Sequence, residues 1–170
     1  MYKYLKDWNV IIEALGQGKQ TILIKNYKTN INRFLLYPIV NYALKDYYLD
    51  RFQEIHQEFV AKNVLPEKMG NNILIKYYAT IENILEMPLS RIPPEKYYIW
   101  TRDHVKDYLT GETAFIWVLR VYSLQEPIWA EPTLRSYANL KAEFSFEGMK
   151  PVLSGNEFAK VFMKCNNELD

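Results

Sequence analysis

Ala114-Phe-Ile-Trp-Val-Leu-Arg-Val-Tyr122 is a stretch of β-branched and aromatic residues interrupted by a single arginine. The turn-like pair Thr110-Gly111 precedes it, so the stretch is predicted to form a central strand of a sheet. Arg120 then lies where burial is expected, and a buried guanidinium must be paired or must meet an anion. A carboxylate partner is the prediction for Arg120, and contact with a ligand is the alternative.

The composition is that of an ordinary globular protein. The chain has 170 residues, of which 49% are hydrophobic and 24% are charged, so one domain is expected. The formal net charge of +1 provides no global attraction to nucleic acid or acidic membranes, and any basic site must be local. Cys165 is the single cysteine, which excludes an intrachain disulfide and favours a reducing compartment.

The chain is expected to be cytoplasmic, without a membrane partner. The N-terminal residues lack the apolar core and cleavage pattern of a signal peptide. No apolar stretch approaches the roughly 20 residues that a membrane-spanning helix needs.

Helical patterns occur in four places. Leu5 to Leu15 carries apolar residues at helical spacing, and Asp46 to Lys62 carries the clearest apolar stripe of the chain. Thr101 has the features of an N-cap for a helix from Arg102 to about Leu109. Ser154 and Glu157 form a capping box that opens a final helix.

The remaining periodic segments are predicted to be strands. Gln20–Lys25, Ile73–Tyr78 and Lys141–Phe146 are expected to share one sheet with Ala114–Tyr122, and Arg33–Val40 is a further candidate interrupted by Pro38. The order of elements is mixed. The fold class is therefore α+β, with a central mixed sheet or partly closed barrel flanked by helices in a single domain over residues 1–170.

Fragments spread over nearly the whole chain resemble a bacterial family known as domain of unknown function 1802. No activity is established for that family, so the resemblance implies relatives and no reaction. The chain departs from the family pattern at Asn26-Tyr27-Lys28, where members have Gly-Gly-Ile, and at Asn41-Tyr42, where they have a histidine. The fragments that carry the resemblance are Leu5-Lys-Asp-Trp8, Glu13 to Thr21, Ile22 to Lys25, Phe34-Leu-Leu-Tyr-Pro38, Trp100-Thr101, Leu119-Arg-Val-Tyr122 and Pro151-Val-Leu-Ser154.

A looser likeness concerns PUA-like barrel domains. Val118-Leu-Arg-Val-Tyr122, following the helix start Ile99-Trp-Thr101, is similar to the pattern of those domains. Many PUA-like domains bind modified or flipped bases in RNA or DNA, so this likeness implies nucleic-acid binding by analogy with the fold.

The common catalytic and metal-binding motifs are missing from the sequence. His56 and His104 lie far apart, without the companion ligands of a zinc site. Glycine-rich phosphate loops and the serine elbow of hydrolases are absent too. No catalytic residue, metal or cofactor is therefore predicted, and an enzyme is a less favoured hypothesis than a binding domain.

Basic residues beside aromatic ones suggest the kind of surface that holds nucleic acid, because cations neutralise phosphates and rings stack on bases. The prediction is a non-catalytic nucleic-acid or nucleotide-binding domain with RNA or DNA as partner. A protein-interaction module is the alternative, and a nucleic-acid hydrolase is less favoured. The candidate ligand-binding residues are Lys25, Lys28, Arg33, Tyr37 and Arg120.

Overall fold

The structure is a computed structural model that describes residues 2–40, 45–134 and 144–169. In these residues one mixed sheet of seven strands has the order β1-β3-β5-β6-β2, with β4 added to β5 and β7 added to β6. This single α+β domain confirms the expected fold class. The strands are β1 Tyr4–Trp8, β2 Ile22–Lys25, β3 Arg33–Ile39, β4 Lys68–Met69, β5 Asn72–Pro88, β6 Thr113–Ala130 and β7 Lys150–Pro151. The α-helices of the described residues are α1 Asn9–Gly16, α2 Gln57–Lys62, α3 Arg102–Tyr108 and α4 Gly155–Leu169.

The apolar stretch around Trp117 forms the interior strand that its composition predicted. Strand β6 pairs antiparallel with β5 on one side and with β2 on the other. Alternate side chains point to opposite faces, so Trp117 enters one core and Ile116 and Val118 enter another. Because both faces are covered, the strand is apolar nearly throughout.

The sheet curls until its two edge strands face each other. Strands β1 and β2 lie at opposite ends of the strand order. Even so, Lys25 Nζ on β2 lies 2.9 Å from Asp7 Oδ2 on β1. No backbone pairing joins the two edges in the described part of the chain, so the sheet is curled with an open seam and is not closed.

Helix α1 fills the inside of the curl. Its residues from Asn9 to Leu15 are all buried, and they pack in an inner core with Phe34 and Trp117. Glu13 is a charged residue in this buried helix. Its carboxylate pairs with Lys76 Nζ and accepts a hydrogen bond of 3.0 Å from the Tyr77 hydroxyl.

Two separate cores cover the outer face of the sheet. One, the helix-covered outer core, contains Ile116, Val118 and Cys165 and lies beneath α3 and α4. The other, the tyrosine-rich outer core, contains Tyr4, Tyr37 and Tyr78 with partly buried aromatic residues of the 144–149 segment. Between these two cores Arg120 occupies its position on β6.

The predicted helix over Leu5 to Leu15 is wrong in its first part. Tyr4–Trp8 is strand β1, and the helix begins only at Asn9. The strand pairs in parallel with β3, with Tyr4 opposite Leu35. That partner lies about thirty residues further along the chain, and its pairing overrides the local helical spacing.

The predicted helix over Asp46–Lys62 is also mostly wrong. Short 3₁₀ turns occupy Tyr48–Arg51 and Glu54–His56, and only Gln57–Lys62 is α-helical. Backbone groups between these turns bond elsewhere: Gln53 N–H donates to Ile99 C=O at 3.0 Å, and Arg51 C=O accepts from Thr101 N–H at 2.9 Å. These tertiary bonds interrupt the helical ladder.

The predicted strand Lys141–Phe146 has a mixed outcome. Residues 141–143 lie outside the described residues. Phe144–Phe146 is not a strand. Instead, the Phe144 ring meets Tyr2 at 4.7 Å between centroids and the Phe146 ring meets Tyr78 at 4.9 Å. The aromatic residues of this segment therefore cover the sheet without joining it.

Both predicted helix caps are confirmed. Thr101 Oγ1 accepts a hydrogen bond of 3.2 Å from His104 N–H. Ser154 Oγ accepts from Glu157 N–H at 3.2 Å, and the Glu157 carboxylate accepts from Ser154 N–H at 2.8 Å. None of the helices in the described ranges has the length and apolarity needed to cross a membrane.

Candidate functional site

A cleft of about 230 Å³ opens at the seam between β1, β2 and α3. We call it the seam cleft. Its apolar floor includes Ile11, Leu23 and Val105, while charged and aromatic side chains form its walls. The cleft exists because β1 and β2 approach each other without pairing, which leaves room for a ligand at the open seam of the curled sheet.

The aromatic wall of the seam cleft is a stack of rings. The Trp100 ring lies nearly parallel to the Phe52 ring, with centroids 4.3 Å apart. The centroid of the His104 ring lies 4.4 Å from that of Trp100. Trp8 approaches Trp100 edge-on at 4.8 Å. Tyr108 lies near the mouth and is 42% exposed. Mutual packing holds the inner rings in fixed orientations, and Tyr108 stays accessible to solvent.

The charged wall has a surplus of positive charge. Lys25 pairs with Asp7, and the two side chains are only 12% and 14% exposed. Lys6 donates a hydrogen bond to Thr133 C=O, and its Nζ lies 5.5 Å from the centroid of the Tyr37 ring. Burial lowers the pKa of Lys6. Two lysines against one carboxylate give this wall a local charge that suits an anionic ligand.

His104 is neutral at physiological pH. Burial, reinforced by Arg51 and Lys45, lowers the pKa of its imidazole to about 4, although Asp107 acts in the opposite direction. A neutral imidazole keeps one donor and one acceptor nitrogen. At the wall of the cleft it can therefore exchange hydrogen bonds with a polar ligand without adding charge.

The low pKa of His104 makes stability depend on pH. In the unfolded chain a histidine has a pKa of about 6.5, so between about pH 4 and 6.5 the unfolded state binds more protons and stability rises with pH. We expect the free energy of unfolding to fall by roughly 2 kcal/mol between pH 7 and pH 4.5 on account of His104. Urea titrations of wild type and His104→Gln at both pH values measure this contribution as the pH-dependent difference. An identical pH dependence in the two proteins would show that His104 does not titrate in this way.

Two polar side chains of the cleft already have protein partners. Gln20 Nε2 donates to Ile22 C=O at 2.8 Å, and Gln20 Oε1 accepts from Ile99 N–H at 3.1 Å. The Tyr98 hydroxyl donates to Pro93 C=O at 2.9 Å. The Gln20 contacts fix the β2 side of the cleft relative to the segment that leads into α3, and the ligand contacts are left to the rings and charged groups.

A wider groove of about 620 Å³ adjoins the seam cleft and shares Trp8, His104 and Tyr108 with it. Four aspartates and only two basic residues line this groove, so it disfavours a phosphate backbone. Tyr47 stands 82% exposed there, with a left-handed backbone at φ +58°. The charged lining residues are Asp46, Asp50, Asp103, Asp107, Lys45 and Arg51.

The five candidate ligand-binding residues lie in different surroundings. Lys25 lines the seam cleft. Lys28 is exposed and forms an ion pair with Glu86, with 2.6 Å between Nζ and Oε2. Tyr37 is only 2% exposed, and its hydroxyl donates to Glu131 C=O at 3.3 Å. Arg33 and Arg120 lie on the outer face of the sheet. The structure therefore places one of the five in the cleft and two together on another surface.

The predicted carboxylate partner of Arg120 is not found among the described residues, where no acidic side chain forms an ion pair with it. The guanidinium carbon lies 5.7 Å from the Tyr122 ring and 5.1 Å from the Phe158 ring. Aromatic faces attract a guanidinium but do not satisfy its N–H groups. That prediction is therefore wrong for the described part of the chain.

The cleft residues that the sequence did not single out include Lys6, Asp7, Trp8 and Tyr108. Trp8 was assigned to a helix, and Tyr108 was one of 14 tyrosines. The one local signal was Trp100-Thr101, which marks the start of α3 and so brings a tryptophan to the seam. The other side chains meet because two strands distant in the sheet order approach each other.

Residues 4–164 match the family described as "Domain of unknown function (DUF1802)", and the chain belongs to this family. The resemblance drawn from the sequence is thus confirmed. Curated protein sequences include no match to the chain.

Solved structures provide a more distant likeness. The crystal structure of ASCH from Zymomonas mobilis has 15% sequence identity and a TM-score of 0.47, covering 95% of this chain and 94% of that one. A tyrosine-to-phenylalanine variant of it has the same identity and TM-score, covering 95% and 96%. A serine-to-alanine variant has 16% identity and a TM-score of 0.46, covering 96% and 95%. With TM-scores below 0.5, the likeness supports no conclusion about function or site residues.

Proposed function

We propose that this protein binds nucleic acid and that one nucleobase enters the seam cleft. The observation that carries the proposal is the pairing of an aromatic wall, formed by Trp8, Trp100 and Tyr108, with the lysines of the opposite wall. Rings stack on bases and cations hold the phosphates that follow them. The arrangement supports the expectation of nucleic-acid binding through a site that the sequence only partly indicated.

The size of the cleft favours a single base. Its volume of about 230 Å³ is below the roughly 300–1,000 Å³ typical of sites for drug-sized ligands. The acidic groove beside it disfavours a phosphate chain in that direction. A bound strand would instead place its phosphate near Lys6 and Lys25.

Asp7 gives the cleft a means of choosing between bases. Its carboxylate accepts from Trp8 N–H at 2.8 Å and from Lys25 Nζ at 2.9 Å, and its remaining lone pairs can accept from an amino group of the ligand. Adenine, cytosine and guanine carry an exocyclic amino group, whereas thymine does not. The proposal therefore includes a preference for amino-bearing bases.

Tyr108 provides the direct test of the base site. Replacing it with alanine should weaken binding of a short single strand by about 1–3 kcal/mol, which is the contribution of one stacked base. Each 1.4 kcal/mol is about tenfold in Kd. Tyr108→Phe keeps the ring and should bind nearly as wild type does. Fluorescence anisotropy of labelled single-stranded RNA and DNA, at about 50 mM salt where phosphate contacts are strongest, measures the change.

Controls separate the cleft from the rest of the surface. Trp129→Ala removes a ring that is 38% exposed and lies outside the cleft, so it should leave Kd unchanged. Absence of any association at micromolar protein, with single-stranded or duplex RNA and DNA, would refute the function. Binding that Tyr108→Ala does not weaken would refute the cleft as the site. Shortening of the oligonucleotide during the assay would instead favour the hydrolase alternative.

A further inference from the structure

Two arginines lie in register on the outer face of the sheet, away from the seam cleft. Arg33 on β3 is opposite Thr80 on β5, and Thr80 is opposite Arg120 on β6. Directly opposite residues point to the same face. With strands about 4.8 Å apart, the two arginine Cα atoms are separated by roughly 10 Å. We call Arg33, Thr80 and Arg120 the arginine row.

The surroundings of the arginine row offer donors. Arg33 is exposed and lies near the Tyr78 side chain, and the Tyr122 ring lies 6.1 Å from the Tyr78 ring between centroids. Arg120 is partly buried between the aromatic rings of Tyr122 and Phe158. This packing holds its guanidinium in place, as a site for a charged ligand requires.

One nitrogen of Arg120 is unsatisfied. Its Nε is buried and has no hydrogen-bond partner in the part of the chain that the structure describes. A buried donor without a partner destabilises the protein, and more so when the group is charged. Nε itself is closed to solvent, but the guanidinium has no carboxylate partner in the described residues, so an anion at its Nη groups would offset the cost of its partial burial.

Positive charge at the row is not balanced by ion pairs. Within the described ranges, neither arginine pairs with a carboxylate. Glu82 lies beside the row, and its carboxylate accepts a hydrogen bond of 2.5 Å from Thr80 Oγ1. Glu157 bonds the backbone of Ser154 at the start of α4. A side chain on Gly155 would come within 4.0 Å of Arg120 Nη2, so the positive end of this helix lies close to the guanidinium.

We infer that the arginine row is a second anion site and that it takes a phosphate group. Guanidinium groups bind phosphate oxygens through paired N–H donors, and the neighbouring phenols add neutral hydroxyls, whereas the Thr80 hydroxyl already donates to Glu82. The site does not depend on the seam cleft, because it lies on the opposite side of the curled sheet. The phosphate belongs to a bound nucleic-acid strand or to a free anion, and the two sources are separable by experiment.

The experiment uses inorganic phosphate and a short single-stranded oligonucleotide as probes. At constant ionic strength, phosphate should raise the Tm of wild type, and Arg33→Gln and Arg120→Gln should each abolish most of that rise. If the phosphate comes from the strand, each substitution should also reduce the slope of log K against log salt by about 0.7. Arg91→Gln, an exposed arginine outside the row, is the matched control and should behave as wild type.

Further variants keep the outcome interpretable. Arg33 is exposed, so Arg33→Gln reports on the site even if Arg120→Gln lowers stability through lost packing. Phosphate-dependent stabilisation that is lost in the variants, with an unchanged oligonucleotide slope, supports the site and assigns it to a free anion. Equal stabilisation of all variants together with unchanged slopes overturns it. Tyr108→Ala should keep the phosphate effect, so failure of the base site and failure of the row are distinguishable.

Discussion

Replacing Trp117 with alanine should lower the free energy of unfolding by about 3–5 kcal/mol, the usual loss for a large aromatic residue in a core. Its side chain is fully buried in the inner core, where it meets Phe34 at 6.4 Å and the edge of Tyr27 at 5.4 Å. The cavity would open inside the curl of the sheet, beneath α1. Neighbouring elements could not fill it without moving a strand.

Trp117→Phe should be much milder. The indole Nε1 is buried without a partner in the described residues, and phenylalanine removes that unsatisfied donor while keeping most of the apolar surface. Urea denaturation measures both variants. Trp129→Ala, on the same strand but 38% exposed, should change the free energy by less than about 1 kcal/mol. Equal losses for Trp117→Ala and Trp129→Ala would contradict the packing described for β6.

Replacing Glu13 with alanine should cost about 2 kcal/mol, because the buried hydroxyl of Tyr77 loses its acceptor and Lys76 loses one of its two carboxylate partners. Glu13 is 4% exposed, forms an ion pair with Lys76 and accepts a hydrogen bond from the hydroxyl of Tyr77. Burial, followed by the Glu13 carboxylate, raises the pKa of Tyr77, which therefore stays a donor. The Lys76 side chain is 28% exposed and its Nζ keeps Glu67 Oε1 at 3.4 Å, so the substitution leaves no buried unpaired charge.

Gln17→Ala is the control for Glu13→Ala. Gln17 is exposed and donates to the same carboxylate at 3.0 Å, so its loss should change stability by less than about 1 kcal/mol. Thermal and urea unfolding of the two variants give the comparison. A loss below about 1 kcal/mol for Glu13→Ala would mean that the buried contacts contribute little net stability.

Local signals in the sequence predicted the parts of the fold that local chemistry determines. Strand β6 follows from apolarity on both faces, and the caps at Thr101 and Ser154 follow from side chains that bond the first turn of a helix. The helix predictions for Tyr4–Trp8 and for most of Asp46–Lys62 were wrong, because the backbone groups of these segments bond to distant parts of the chain. Apolar residues at helical spacing are needed for an amphipathic helix. The spacing does not prevent the backbone from bonding to a distant strand or loop instead.

The candidate site was predicted less well than the fold. Lys25 was chosen as a basic residue close to aromatic ones at the end of β2, and it does line the cleft. Asp7 and Trp8 could not be chosen, because nothing local shows that β1 returns to face β2. For Arg120 the sequence left two explanations, a carboxylate partner or a ligand. Among the described residues no carboxylate pairs with it. An anionic ligand is then the explanation of Arg120 that remains to be tested.

The pairing of β6 has a further consequence for how the chain folds. Its partners come from distant positions, since Ile22 pairs with Val118 and Ile73 pairs with Ala130. Such contacts require long loops to close before they stabilise anything, and domains dominated by them fold in milliseconds to seconds. The seam cleft needs β1, β2 and α3 in place together. It is therefore a late product of folding, and no short segment of the chain could form it alone.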